Sequence, residues 1–114
     1  MFEAIIATVP AVAKENNISI IIPAGTAIQN GRTSHIGDNF CRDGYHLNLT
    51  YGRYTASCTW YEKLLNKAVI GNKFVPAGMS AEEAKVAQHA ARYAVLYPDI
   101  ITPITFQVLA GSSY

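Results

Sequence analysis

Ile18-Ser19-Ile20-Ile21-Ile22, closed by Pro23 and Gly25, is the stretch on which the reading of the fold turns. It is short, apolar and β-branched at every position but one. Such a run reads as a strand buried on both faces, the type found in parallel sheets. Just upstream, Phe2, Ile5, Ile6, Val9, Val12 and Ala13 recur at spacings of three and four, the signature of one helical face. Pro10 interrupts that pattern. It either kinks one helix or marks the first turn of a shorter one capped by Thr8. Asn16-Asn17 ends the segment. A helix followed by a buried strand is the second half of an α/β unit, so the expected fold class is α/β.

Downstream the pattern turns helical. A short helix is expected over Thr26 to Asn30, and the polar, glycine-containing stretch Gly31 to Phe40 reads as a loop. Leu49 or Thr50 opens a helix running to about Lys67, with Tyr54, Cys58, Tyr61 and Leu65 as its apolar stripe. Gly52 and Ala56 on that helix allow a neighbouring element to approach closely. Gly71 to Gly78 is a connector. Ser80 and Glu83 then form a capping box, in which each side chain satisfies the other's orphan backbone donor. The helix they start points Val86, Ala90, Tyr93 and Tyr97 inward and Lys85, His89 and Arg92 outward, and Pro98 ends it. A short strand is expected around 104–109. The structure as a whole should hold more helix than strand.

Composition bounds the function. The 114 residues form one domain or a piece of one. Half of them are hydrophobic and 15% are charged, enough apolar material for a packed core. The formal net charge is +1, with acids and bases spread along the chain, so nothing marks a nucleic-acid footprint or a polybasic anchor. No apolar run approaches the roughly 20 residues of a membrane span. The first residues lack a basic n-region and a small-residue cleavage site, so they are not a signal peptide, and the compartment is open. Cys41 and Cys58 have no metal-ligand spacing, and a free Cys58 on the apolar side of its helix acts as a small hydrophobe.

The chemistry concentrates in Arg42-Asp43-Gly44-Tyr45-His46-Leu47. An aspartate three residues before a histidine, in a loop ahead of a helix, can set its carboxylate against one imidazole nitrogen. The carboxylate fixes the tautomer and stabilises the imidazolium, and the other nitrogen is left to take a proton from a hydroxyl. Gly44 keeps the turn tight. The bland counterpart is a loop aspartate that caps the next helix beside a surface histidine.

A wider resemblance favours the chemical reading. Ile21-Ile-Pro-Ala-Gly-Thr-Ala-Ile-Gln-Asn30, then Arg42-Asp-Gly-Tyr-His-Leu-Asn48, Gly52-Arg-Tyr54 and Cys58-Thr-Trp60 resemble, in order, the end of the SGNH/GDSL hydrolase domain, within an uncharacterised bacterial domain-of-unknown-function branch. The resemblance covers roughly residues 1 to 100. It implies a three-layer α/β/α fold with a parallel sheet, of which residues 1–114 are a single partial domain, the C-terminal portion. It also implies that Asp43 orients and His46 acts as general base in a Ser-His-Asp triad, with an ester as the substrate of the full-length enzyme, acylated carbohydrates included, and with no cofactor and no metal. The family's nucleophilic serine, in a Gly-Asp-Ser-like block, and its oxyanion-hole blocks have no counterpart here. Ser19, Ser34, Ser57, Ser80, Ser112 and Ser113 stand in no such context, so the chain alone is expected to be inactive.

Other residues carry less. Arg32, His35 and Asp38 precede the pair and line a substrate mouth or, more simply, a solvated loop. His35 with Asp43 and His46 makes a metal site only if three groups converge, which spacing does not show. His89 reads as a solvated residue on a polar helix face. Tyr45, Tyr51, Tyr54, Trp60 and Tyr61 stack sugars in one reading and pack the core in the other. The alternative function is therefore a non-catalytic interaction or carbohydrate-binding module. An apolar strand without sheet neighbours also exposes more apolar surface than a small monomer normally does, so a homo-oligomer is expected, a two-fold dimer being the commonest closed form.

Overall fold

The computed structural model describes residues 1–105. Its elements are α1 (Phe2–Glu15), α2 (Ala24–Arg32), α3 (Tyr51–Leu65) and α4 (Ala81–Leu96). Among the described residues there is no strand, only an isolated antiparallel bridge between Cys41 and Leu47. The expected α/β class and its three layers are thus corrected: the chain is a helical domain of four helices, in which α2, α3 and α4 pack on one another.

The physical reason lies in Ile18 to Ile22. A strand exists only where a neighbour completes its hydrogen-bond ladder. Here the amides of Ser19, Ile20 and Ile21 find no acceptor among the described residues. The Ile18 amide is spent on α1 instead. It bonds the Ala13 carbonyl at 2.8 Å, while the Asn17 amide bonds the Lys14 carbonyl at 3.2 Å. Asn17 takes the left-handed conformation at φ 56°, which closes α1 with a Schellman motif. Ile18 and Ile20 then stand in the open, 55% and 53% exposed. Pro10 lies inside α1 without ending it, so one helix spans the whole segment. The strand expected around 104–109 falls largely outside the described residues.

The core forms around α4. Ala84, Ala87, Ala90, Ala91 and Ala94 are all buried, and their small side chains let α2 and α3 approach the same helix. Tyr54, Cys58, Val69 and Met79 pack on one part of it, and Ile28, Ile36, Phe40 and Ile104 on another. Ser80 and Glu83 form the expected capping box, with the Glu83 amide donating to Ser80 Oγ at 3.1 Å and the Ser80 amide to Glu83 Oε1 at 2.8 Å.

Polar side chains carry more of the interior than periodicity indicates. On α3, Thr55, Thr59 and Glu62 are buried while Leu65 is 56% exposed, so the inner face is rotated from the apolar stripe read in sequence. Arg92, expected to point outward, pairs with the buried Glu62, whose other oxygen accepts the Val69 amide at 3.0 Å. Asn30 is fully buried. Its amide donates to the Ala90 carbonyl at 3.1 Å and its oxygen accepts the Thr102 amide at 2.7 Å, which fastens the segment after α4 onto α2. Tyr97, expected inward, is 52% exposed.

Gly52 meets the sequence expectation of a close approach. A Cβ there would lie 2.3 Å from the Phe40 carbonyl oxygen, a backbone atom with little room to retreat. Gly52→Ala should therefore cost about 1–3 kcal/mol, the usual penalty of overpacking. Urea unfolding of the two proteins reads this directly; an unchanged midpoint would contradict the packing described.

Candidate functional site

The loop from Cys41 to Leu47 is pinched at its base. The Arg42 amide donates to the His46 carbonyl at 2.9 Å and the Asn48 amide to the Phe40 carbonyl at 2.8 Å. Below the pinch, Phe40 is fully buried. Its ring fills the space where a Cβ on Gly31 would sit, 2.5 Å from Cζ, and its carbonyl lies against Gly52. Asn48 turns the chain into α3, its Oδ1 accepting the Thr50 and Tyr51 amides, each at 2.7 Å. A rigid helical base thus presents a short exposed loop.

On that loop Asp43 uses both carboxylate oxygens. Oδ1 accepts the Tyr45 amide at 2.8 Å and the His46 amide at 2.7 Å, and Oδ2 lies 2.6 Å from His46 Nδ1. The two backbone amides, then the imidazole and the Arg42 guanidinium, hold the Asp43 carboxyl below its ordinary value. His46 Nε2 has no hydrogen-bond partner among the described residues, and the side chain is 45% exposed. The Tyr45 ring, itself 82% exposed, lies on the imidazole at a centroid distance of 4.1 Å. An imidazole with one nitrogen held by a carboxylate and the other facing outward is arranged to accept and return a proton.

The remaining sequence candidates do not join this pair. Arg32 Nε and Asp38 Oδ1 form a surface ion pair at 3.0 Å. His35 lies across a polar cleft of about 480 Å³ lined also by Asn39, Cys41, Asn48, Tyr51 and Glu83. Among the described residues no three His, Cys, Asp or Glu side chains converge as metal ligands. His89 is half-buried, with Nδ1 2.7 Å from the Lys85 carbonyl and its ring near Tyr93. The aromatic set is dispersed: Tyr51 donates to Glu83 Oε2 and Tyr54 to the Phe74 carbonyl, each at 2.8 Å, while Trp60 is exposed. Cys41 and Cys58 are both free. Burial, above all, pushes the Cys58 thiol up to about 11, which keeps it protonated and inert at neutral pH.

The serines within the described residues are committed to structural bonds or lie outside any prepared setting. Ser34 Oγ donates to the Gly31 carbonyl, Ser57 Oγ to the Arg53 carbonyl, and Ser80 caps α4. Sequence reasoning missed the roles of Phe40 and Asn48. The signal for the first was present in Gly31 and Gly52, two glycines flanking an aromatic that needs space.

With this geometry described, comparison with known proteins places the chain. A model of the family described as a domain of unknown function, DUF4886, matches residues 1–94, and the chain belongs to that family. The crystal structure of a DUF4886 family protein from Bacteroides uniformis is similar over 90% of this chain, at 50% sequence identity and a TM-score of 0.87. The matched region makes up 40% of that protein's chain, so the present chain spans well under half the length of its solved relative. No curated protein matches.

The Asp43 shift has a pH consequence. Because its folded-state value lies below the ordinary 3.8, the bonds it makes contribute fully above that pH and are lost as pH falls through the lower folded value. The Tyr45 and His46 amide resonances should therefore titrate with a midpoint below 3.8. A midpoint at or above it would mean that the carboxylate is not held as described.

Proposed function

We propose that this chain supplies the Asp-His pair of a serine ester hydrolase of SGNH type, acting on acylated carbohydrates, with Asp43 as the orienting carboxylate and His46 as the general base. The observation that carries the reading is the 2.6 Å contact between Asp43 Oδ2 and His46 Nδ1, made while Oδ1 is held by two backbone amides and Nε2 is left without a partner among the described residues. The nucleophile belongs to the part of the family domain that this chain does not span.

The chemistry follows from the pair. His46 Nε2 takes the proton of the serine hydroxyl as that oxygen attacks the ester carbonyl carbon. Asp43 stabilises the imidazolium that results and does not itself take the proton. The imidazolium then returns the proton to the departing alkoxide, and the acyl group remains on the serine. Water, deprotonated by the same nitrogen, releases the acid and regenerates the hydroxyl. A carbohydrate alcohol fits an exposed site in which the Tyr45 ring stands beside the base, since aromatic faces pack against sugar rings.

A non-catalytic carbohydrate-binding module is the second reading. It would draw on the exposed Tyr45 and Trp60, but the Asp43–His46 contact has no task in it. Self-association of the chain on its own belongs to the proposal too, through the apolar surface left open around α1.

In a complete DUF4886 domain carrying these residues, His46→Ala and Asp43→Asn should each lower hydrolysis of a simple acetyl ester by about 10⁴-fold, the scale of triad losses. The 114-residue chain alone should show no turnover above background. Equal rates for wild type and His46→Ala would overturn the assignment.

A further inference from the structure

A broad apolar feature among the described residues lies away from the Asp43–His46 pair but reaches its base. Helix α1 buries only Ala13, while Ile5, Val9 and Val12 are 43%, 41% and 48% exposed. Between α1 and α2 runs a cleft of about 450 Å³, walled by Phe2, Ile6, Ile22, Pro23 and Ile28 and extending to Leu47, the residue that follows His46. Beside it, Ile18 and Ile20 face outward and the Ser19–Ile21 amides have no acceptor among the described residues. A contiguous apolar surface of this kind marks an interaction site on a small protein, and unpaired backbone groups at its border add a demand for hydrogen bonds. The solved relative shares this fold over 90% of the present chain, yet these residues account for only 40% of its length.

We propose that the α1 face, the adjoining cleft and the Ser19–Ile21 backbone form the docking surface for the portion of a longer DUF4886 family protein that lies outside the region matched by this chain, as in the Bacteroides uniformis relative. The occupant is a polypeptide segment that presents apolar side chains to Ile5, Val9 and the cleft, and backbone groups to Ser19–Ile21. Because Leu47 lines the cleft, docking brings that segment to the base of the loop that carries His46. The choice of occupant rests on the fold, the exposed surface and the length of the relative. Only its delivery of a nucleophile rests on the hydrolase reading.

The test co-expresses the tagged 114-residue chain with the portion of the Bacteroides uniformis protein outside the matched region, and measures the captured complex by native mass spectrometry and amide hydrogen exchange. A one-to-one complex is expected, in place of the self-associated form, with exchange slowed at Ser19–Ile21 and along α1. Ile5→Glu with Val9→Glu should weaken the complex by roughly tenfold or more, with the helical circular dichroism of the chain unchanged because both side chains are already exposed. Trp60→Glu, on exposed α3 surface, should leave binding intact. If the complementary portion is insoluble alone, the two are joined by a flexible linker and the Ser19–Ile21 exchange is compared with that of the separate chain. Docking is overturned if the chain captures only a second copy of itself, if Ile5→Glu with Val9→Glu binds as well as wild type, or if exchange at Ser19–Ile21 is the same with and without the complement. His46→Ala separates the two ideas: it should lower hydrolysis in the assembled domain by about 10⁴-fold and leave docking untouched.

Discussion

Phe40, wedged between two glycines, sets how closely α2 and α3 approach. Its ring sits fully buried where only a glycine, Gly31, can face it, and its carbonyl presses on a second glycine, Gly52. One residue thereby fixes the distance between α2 and α3 and sets the start of the loop that carries Asp43 and His46. A buried phenylalanine side chain contributes roughly 1.5–3 kcal/mol by burial. Here the same side chain also anchors an exposed loop at its base, through the Asn48 amide on its carbonyl and the Cys41–Leu47 bridge just beyond. The order of the loop thus comes both from the core beneath it and from the bonds that Asp43 makes within it.

Around this anchor, α4 organises the helices with small residues and long polar ties. The alanines let neighbours come close, and the close approach leaves polar groups that must be matched inside. Asn30 matches a carbonyl of α4 and an amide of the segment beyond it. Gln88 donates to Tyr54 Oη and the Asn72 carbonyl and accepts the Gly71 amide, each at 3.0 Å, which binds the connector to the helices. Glu83 serves twice, closing the cap of α4 and accepting from Tyr51 of α3. Each tie converts a nonspecific helical contact into a particular register.

What the sequence made legible was local. The capping box joins residues three positions apart, and so does the Asp43–His46 pair, so a chain segment of a few residues contains the whole device. The long helices were legible for the same reason, because a 3.6-residue period repeats within each. The run Ile18 to Ile22 was not, since an apolar β-branched pentapeptide becomes a strand only if another segment offers its backbone, and that information is not in the pentapeptide. The pairing of Glu62 with Arg92 and the reach of Asn30 to Ala90 and Thr102 were equally hidden: they join distant positions, and nothing in either neighbourhood announces the other. Thr55 and Thr59 turn inward on the same face of α3 as Glu62, while Leu65 of the apolar stripe stands exposed.

Asp43 holds the His46 imidazole through Nδ1 and leaves Nε2 without a partner among the described residues, and the tautomer of His46 reads that arrangement. Nitrogen-15 NMR of the imidazole, at a pH where the ring is neutral, distinguishes a proton on Nδ1 from one on Nε2. The geometry predicts the Nδ1–H form, bonded to the Asp43 carboxylate, and its loss in Asp43→Ala. A neutral His46 with its proton on Nε2, unchanged by Asp43→Ala, would mean that the carboxylate does not hold the ring.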